Sequence, residues 1–377
     1  MNRSLKFVTF SMFAWGLGEG MFLLFQPIYL QKLGAEPILI GMVLGSVGLM
    51  TTLVQIPSGY FSDRYGTRPI MLVSWVLGTL AAWGMALSPN LQLFIPAFLL
   101  YGLTGSIVAP MNSYITSVRG NWSAERSLTF TGAAYHLGTI LGPTLGGFLG
   151  QKYELRILYV IAAIIFVIST ILIFFIQNPD VEPHHTPGKV RGIFKNKLFM
   201  RMVILASLGM FFMVFTQSFT PIFLDEIRNI DLQKIGFLGT IGGLGNVVLA
   251  LMLGHLPARI GYLVSFPFVL LFPILIVKGT GMPWYGMAYF LFGGYRLARS
   301  MILAFSRQFI HSRETGIAYG VIETANGAAT ILAPLLCGII YNQNPEHIYW
   351  MAAIGLLVTF TLNLIWLPKN IYQKEGI

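Results

Sequence analysis

The sequence is short of charge. Asp, Glu, Lys and Arg make up 10% of its 377 residues, against about 25% in a soluble domain. That is too few to cover a water-facing surface of this size. The one cysteine, Cys337, lies in an apolar run; it can form no intramolecular disulfide and says nothing about redox compartment. No G-x-x-x-x-G-K-[ST] loop is present, which argues against ATP as the direct drive. No H-E-x-x-H run or Cys cluster suggests a metal enzyme, and no Ser/His/Asp set at matching depth suggests an intramembrane hydrolase. The expectation is therefore no cofactor, no metal and no enzymatic activity.

What the chain has instead is apolar length. Hydrophobic residues make up 55% and the mean hydropathy is +0.71. Apolar runs near twenty residues, the length that crosses a bilayer, recur from end to end. The fold class that follows is an all-α integral membrane protein. The net charge of +10 is read as the basic bias of cytoplasmic loops rather than as a nucleic-acid surface. The first run, Phe7 to Leu30, is too long for a signal peptide and lacks a small-residue cleavage site.

Twelve spans are predicted, at 7–30, 38–60, 70–88, 91–115, 127–150, 155–176, 200–224, 235–256, 261–279, 282–306, 315–341 and 347–367. The longest connection, 177–199, contains "NPDVEPHHTPGKVRG", whose Pro, Gly and charge content marks a linker. It separates an N-terminal six-helix bundle, 1–176, from a C-terminal one, 200–377. His184 and His185 in it read as solvated loop rather than metal ligands. With the N-terminus inside, sixteen Lys and Arg fall in cytoplasmic segments and six in outer ones, which places both termini in the cytoplasm. Trp350 and Trp366 lie about 24 Å apart on a helix, fitting the two interfaces.

The two halves repeat. "FQPIYL" at 25–30 ends span 1 and "FTPIFL" at 219–224 ends span 7; "TILGPTLGG" at 139–147 returns as "TILAPLLCG" at 330–338. Internal duplication with a site at the repeat interface is a transporter signature.

After span 2 comes Gly59-Tyr-Phe-Ser-Asp63-Arg64-Tyr-Gly66-Thr-Arg68. Glycines there permit a tight turn and close helix approach, and Asp63 can accept from Arg64, Arg68 or a helix N-terminus. The pattern G-x-x-x-D-R-x-G-x-R at this place resembles the signature loop of the major facilitator superfamily. Twelve helices, the 6+6 duplication and a central basic loop extend the resemblance over the whole chain. It implies pseudo-symmetric bundles, a cavity lined by helices 1, 4, 7 and 10, and a cytoplasmic gating role for the loop. The second copy, Gly254 to Gly261, has Ala258 in place of the acid. Span 5 carries Gly138, Gly142, Pro143, Gly146 and Gly147. Physically this is a kinked helix whose glycines let backbones touch; by resemblance it is the antiporter motif of drug–proton exporters. It departs from that motif at Thr129, and span 4 lacks the arginine many such exporters carry.

The membrane interior holds few ionisable residues: Glu19, His136, Arg296, Arg299 and Glu323. Rise per residue puts Glu19 and Arg296 about 18 and 16 Å in from the cytoplasmic ends, and Arg299 and Glu323 about 12 and 13 Å. Two acid–arginine pairs of like depth follow, since buried charges are normally paired. Gln26, Asn112, Tyr114, Gln217 and Asn326 are expected to add polar lining. The cluster reads either as a substrate or proton site or as a structural ion-pair network. The expected function is a secondary transporter, a proton-coupled exporter of an amphipathic or lipophilic small molecule, monomeric in a prokaryotic plasma membrane among lipid. Alternatives are transport of a small organic anion on the span-10 arginines, and a receptor or scaffold of the same fold that transports nothing.

Overall fold

The structure is a computed structural model that describes residues 2–178, 193–310 and 315–368. The linker residues 179–192, with His184 and His185, lie outside the described residues. Its helices are α1 (Arg3–Leu23), α2 (Gln26–Lys32), α3 (Pro37–Tyr65), α4 (Thr67–Leu87), α5 (Leu91–Gly102), α6 (Val108–Ser117), α7 (Ala124–Tyr153) and α8 (Arg156–Phe174). They continue with α9 (Lys197–Val214), α10 (Thr220–Ile222), α11 (Leu232–Leu253), α12 (Ala258–Lys278), α13 (Met282–Phe292), α14 (Gly294–Ser306), α15 (Thr315–Gln343) and α16 (His347–Trp366). Helix overlies every predicted span. Nine helical stretches among the described residues are long and apolar enough to cross a bilayer, ten if the bent pair α1–α2 is one span. Helix α7, and α13 with α14, fall outside that set; polar residues of α7 and the two arginines of α14 dilute their apolar character.

The departures from straight spans have local causes. Pro27 stands in the first turn of α2 and has no N–H to offer Leu23, so span 1 breaks and bends by 46°. Span 4 becomes α5, a 3₁₀ stretch at Leu103–Ile107, and α6. Pro110 leaves the Ser106 carbonyl without its helical donor, and the Ser58 hydroxyl of α3 donates to that carbonyl instead. Thr51 does the same for Gly102, at 2.9 Å. Helix starts are capped: the side chains of Asn2, Asn90, Ser123 and Asn196 accept from backbone N–H groups of the first turn.

The chain divides into two compact units, Met1–His185 with Pro221–Thr240, and Thr186–Thr220 with Ile241–Ile377. The first is held by α1, α4 and α8. The Trp15 ring stacks on Phe166 at 4.1 Å. The Trp75 indole N–H lies 2.9 Å from both the Ser11 and Ser169 hydroxyls, which are themselves 2.7 Å apart. Segment Pro221–Thr240 joins this unit through backbone contact: a Cβ on Gly147 would sit 3.1 Å from the Gly236 Cα, and Thr144 meets Thr240 at 2.8 Å. The second unit packs Phe199, Met202, Tyr262, Phe266, Leu297, Ile302 and Phe305 into one core, and Asn363 donates to the Leu205 carbonyl at 3.2 Å. Large apolar side chains such as Phe10, Leu251, Ile354 and Ile365 are exposed, as expected of a surface solvated by lipid.

The tightest packing is between α1 and α7. A Cβ on Gly142 would lie 2.6 Å from the backbone of Gly20, whereas one on Gly132 of the same helix would meet nothing within 4 Å. Gly142→Leu is therefore expected to lower the melting temperature of the detergent-purified protein by several degrees and Gly132→Leu to leave it nearly unchanged; equal melting temperatures would remove the close-packing argument.

Candidate functional site

In the first unit the α1–α7 contact decides where Glu19 goes. Gly16 and Gly20 bracket it on α1 and press on the α7 backbone at Tyr135 and Thr139. The approach brings the Tyr135 hydroxyl to 2.7 Å from Glu19 Oε2, to which it donates. Tyr101, buried on α5, lies close enough to feel the same charge. His136, exposed on the next position of α7, contacts the Tyr135 ring edge-on at 5.3 Å. Gln26 is buried, with Nε2 at 4.0 Å from the Met85 sulfur and Oε1 unpaired. Asn112 is exposed on α6. Tyr114, expected as lining, is fully buried and donates to the Gln177 carbonyl at 2.7 Å, tying α6 to the chain after α8.

In the second unit α14 is two-faced. Leu297, Ala298, Met301 and Ile302 go into the core, while Arg296, Arg299 and Ser300 are exposed on the opposite side. Their spacing of three and four makes this one face. Arg299 reaches α15 and pairs with Glu323 through one bidentate guanidinium edge, Nη2 to Oε2 and Nε to Oε1, the latter at 3.3 Å. Tyr295 lies alongside Arg299, one turn back. Within the second unit the Arg296 guanidinium has no hydrogen bond or ion pair among the described residues. Asn326, one turn beyond Glu323, is 7% exposed with both amide groups unpartnered. Gln217 is exposed in the irregular stretch between α9 and α10. Above α14, Gly293 interrupts the span, and a Cβ there would lie 2.5 Å from the Asn246 amide of α11.

The loop motif after span 2 turns at Gly66, with φ +87°, a conformation glycine adopts without strain. Arg68 donates to the Phe174 carbonyl at 3.5 Å and to Asn178 Oδ1 at 3.3 Å, so it serves the C-terminal end of α8. Arg64 stacks on Tyr65 at 5.4 Å. Asp63 is exposed, and Gly59 faces open space. In the α7 motif Gly138, Gly142 and Gly146 pack on α1 at Leu17, Gly20 and Met21, whereas Gly147 and Pro143 pack on α11 at Gln233, Gly236 and Gly239.

Three partners escaped the sequence reading: Tyr135, Tyr101 and Tyr295, each an aromatic in an apolar run whose face is set only by packing. So did a cleft of about 450 Å³ on the first unit, lined by Lys32, Gln151, Lys152, Glu154, Asp225, Asn229 and Asp231. It assembles three separate loops. There Gln151 accepts from the Leu232 N–H at 3.0 Å. Burial holds the Asp225 carboxyl above its ordinary range, against the pull of the Lys32 ammonium. At Asp231, burial pushes upward, but hydrogen bonds from the Lys234 ammonium and N–H, with the Lys234 charge, leave the carboxyl below the usual range.

A bundle of apolar helices with internal duplication and charged groups at membrane depth defines a polytopic transporter. The sequence matches the family described as the Major Facilitator Superfamily over residues 8–328, and the chain belongs to that family: it is a multi-pass membrane transporter of small molecules, not an enzyme. It is 24% identical to the tetracycline resistance protein, class B, of Escherichia coli, covering 94% of this chain and 93% of that protein. It is 21% identical to the quinolone resistance protein NorA of Staphylococcus aureus, covering 100% and 99%. The fold matches the nucleoside transporter NupG with a TM-score of 0.86 at 14% identity, covering 97% and 100%.

Two measurements test this geometry. Sequence alone suggests a coupling of about 3–5 kcal/mol for a buried Arg299–Glu323 pair. The side chains are 45% and 31% exposed, so a double-mutant cycle with Arg299→Ala and Glu323→Ala is expected to give only about 0.5–1 kcal/mol; strict additivity would mean the two do not interact. Asp231, with a lowered folded pKa, contributes stability that is present above the unfolded carboxylate range and lost as pH falls through the folded value. Asp231→Asn should flatten that acid limb of a melting-temperature profile, and an unchanged limb would contradict the assignment.

Proposed function

We propose that the protein is a proton-coupled exporter of an amphipathic or lipophilic small molecule. It works by alternating access between the halves 1–176 and 200–377, as a monomer in a prokaryotic plasma membrane with both termini cytoplasmic. The observation that carries the reading is Glu19, a membrane-depth carboxylate whose oxygen accepts from a neutral hydroxyl. A phenol donates to the charged acid and can accept from the protonated one, so Tyr135 stays a partner through a full protonation cycle. Support for export comes from the span-5 resemblance and from the resistance proteins among the relatives. Asp63, with Arg64, Gly66 and Arg68, acts as the cytoplasmic latch, and Asp63→Asn impairs flux more than binding.

Glu19→Gln keeps shape and hydrogen bonding but cannot cycle a proton. In proteoliposomes with a quinolone and a tetracycline, the variant is expected to lose uptake driven by a pH gradient and to keep substrate counterflow without one. Gradient-driven flux at the wild-type level would show that Glu19 is not the coupling acid and leave Glu323 as the next choice. A scaffold of the same fold would show neither flux.

A further inference from the structure

We infer that the α14–α15 face binds the anionic end of the substrate: one carboxylate on an aromatic or amphipathic body, held by Arg296 and, in exchange with Glu323, by Arg299. The inference rests on the transporter reading above and names the substrate class of that site.

Charge is the first argument. Arginine does not deprotonate in proteins, so both guanidinium groups of α14 carry charge at every working pH. Glu323 answers one of them, Arg299. Arg296 is exposed on the same face, and no acid of the second unit pairs with it among the described residues, so within that unit the face carries one net positive charge. A water-facing cation without a counter-charge on its own face attracts an anion, and a ligand of charge −1 balances it. A doubly charged phosphate would overshoot. Geometry is the second argument. Two guanidinium groups three residues apart lie on one face of α14, where a carboxylate can accept from both. Asn326 keeps an unspent N–H donor and carbonyl acceptor one turn from Glu323. A buried amide left so is costly and is satisfied when a ligand or a shifted Glu323 meets it. The body of the ligand has a place too: Phe292 and Tyr295 stack at 5.7 Å on the edge of the arginine face, and both are only partly buried. A bidentate Arg299–Glu323 pair with an anion arriving beside it is a competition. The substrate takes over Arg299 contacts as Glu323 lets go.

The test uses the purified full-length protein and four probes: 2-naphthoate, 2-naphthamide, 2-naphthylmethylammonium and inorganic phosphate. A ligand of the native state raises the melting temperature by mass action. Naphthoate is expected to raise it in a dose-dependent way, and the neutral, cationic and phosphate probes to leave it unchanged at the same concentration. Arg296→Gln should weaken naphthoate at least about tenfold, with Arg296→Lys recovering part of the loss because charge returns without the fork. The wild-type comparison decides even where the Gln variant fails to fold. Naphthamide or naphthylmethylammonium binding as tightly as naphthoate overturns the anion assignment while leaving proton-coupled export standing. Stabilisation by phosphate alone, or by none of the four, overturns it as well. Absence of gradient-driven flux in the wild-type protein, with naphthoate binding intact, would remove proton-coupled export and leave this inference in place.

Discussion

An arginine at bilayer depth has to meet a carboxylate, water or both, because its charge cannot be shed and hydrocarbon will not hold it. The second unit is arranged around that constraint. Its core takes one side of α14, filling it with Leu297, Ala298, Met301 and Ile302, so that both arginines are forced to the other. Glu323 on α15 then has to face α14, and it does. The pair's partial exposure is consistent with a face meant for water and solutes rather than for lipid.

The first unit obeys a different constraint, the approach of two backbones. Small residues on α1 and α7 let the helices touch, and the contact sets Tyr135 against Glu19. The glycine and proline run of α7 thus works on two sides at once. Three glycines lock it to α1, while Gly147 and Pro143 carry the start of α11. The packing reading and the antiporter resemblance of that run are not rivals, since a rigid α1–α7 joint is what holds the carboxylate at one depth beside its phenol.

Much of this was legible in the chain. Apolar length located the helical segments, and rise per residue was enough to match Arg299 with Glu323 across two helices. The kinks were half legible: Pro27 and Pro110 announce them, but that Ser58 would take the carbonyl freed by Pro110 depends on how α3 turns. Tyr135 and Tyr101 could not be singled out, because every apolar run here contains aromatics and only packing says which hydroxyl finds the acid. The loop motif was legible as a turn at Gly66. Arg64, Arg68 and a helix N-terminus were all open as donors to Asp63; Arg68 is seen at the end of α8, since an unsatisfied helix C-terminus offers carbonyl acceptors to a cation. The cleft around Asp225 and Asp231 was hidden for a plainer reason: it joins three loops far apart in the sequence.

The central claim, that the arginine face of α14 meets water, is most directly tested by thiol accessibility. Cys337 is fully buried, so a cysteine placed elsewhere reports with little background. Ser300→Cys would stand on the same exposed face as the two guanidinium groups, whose charge favours the thiolate; Ile354→Cys would stand on an exposed apolar face of α16. In inside-out vesicles a membrane-impermeant maleimide is expected to label the cysteine at 300 and spare the one at 354. Equal protection of both would mean that the α14 face is sealed from water, and would contradict the account.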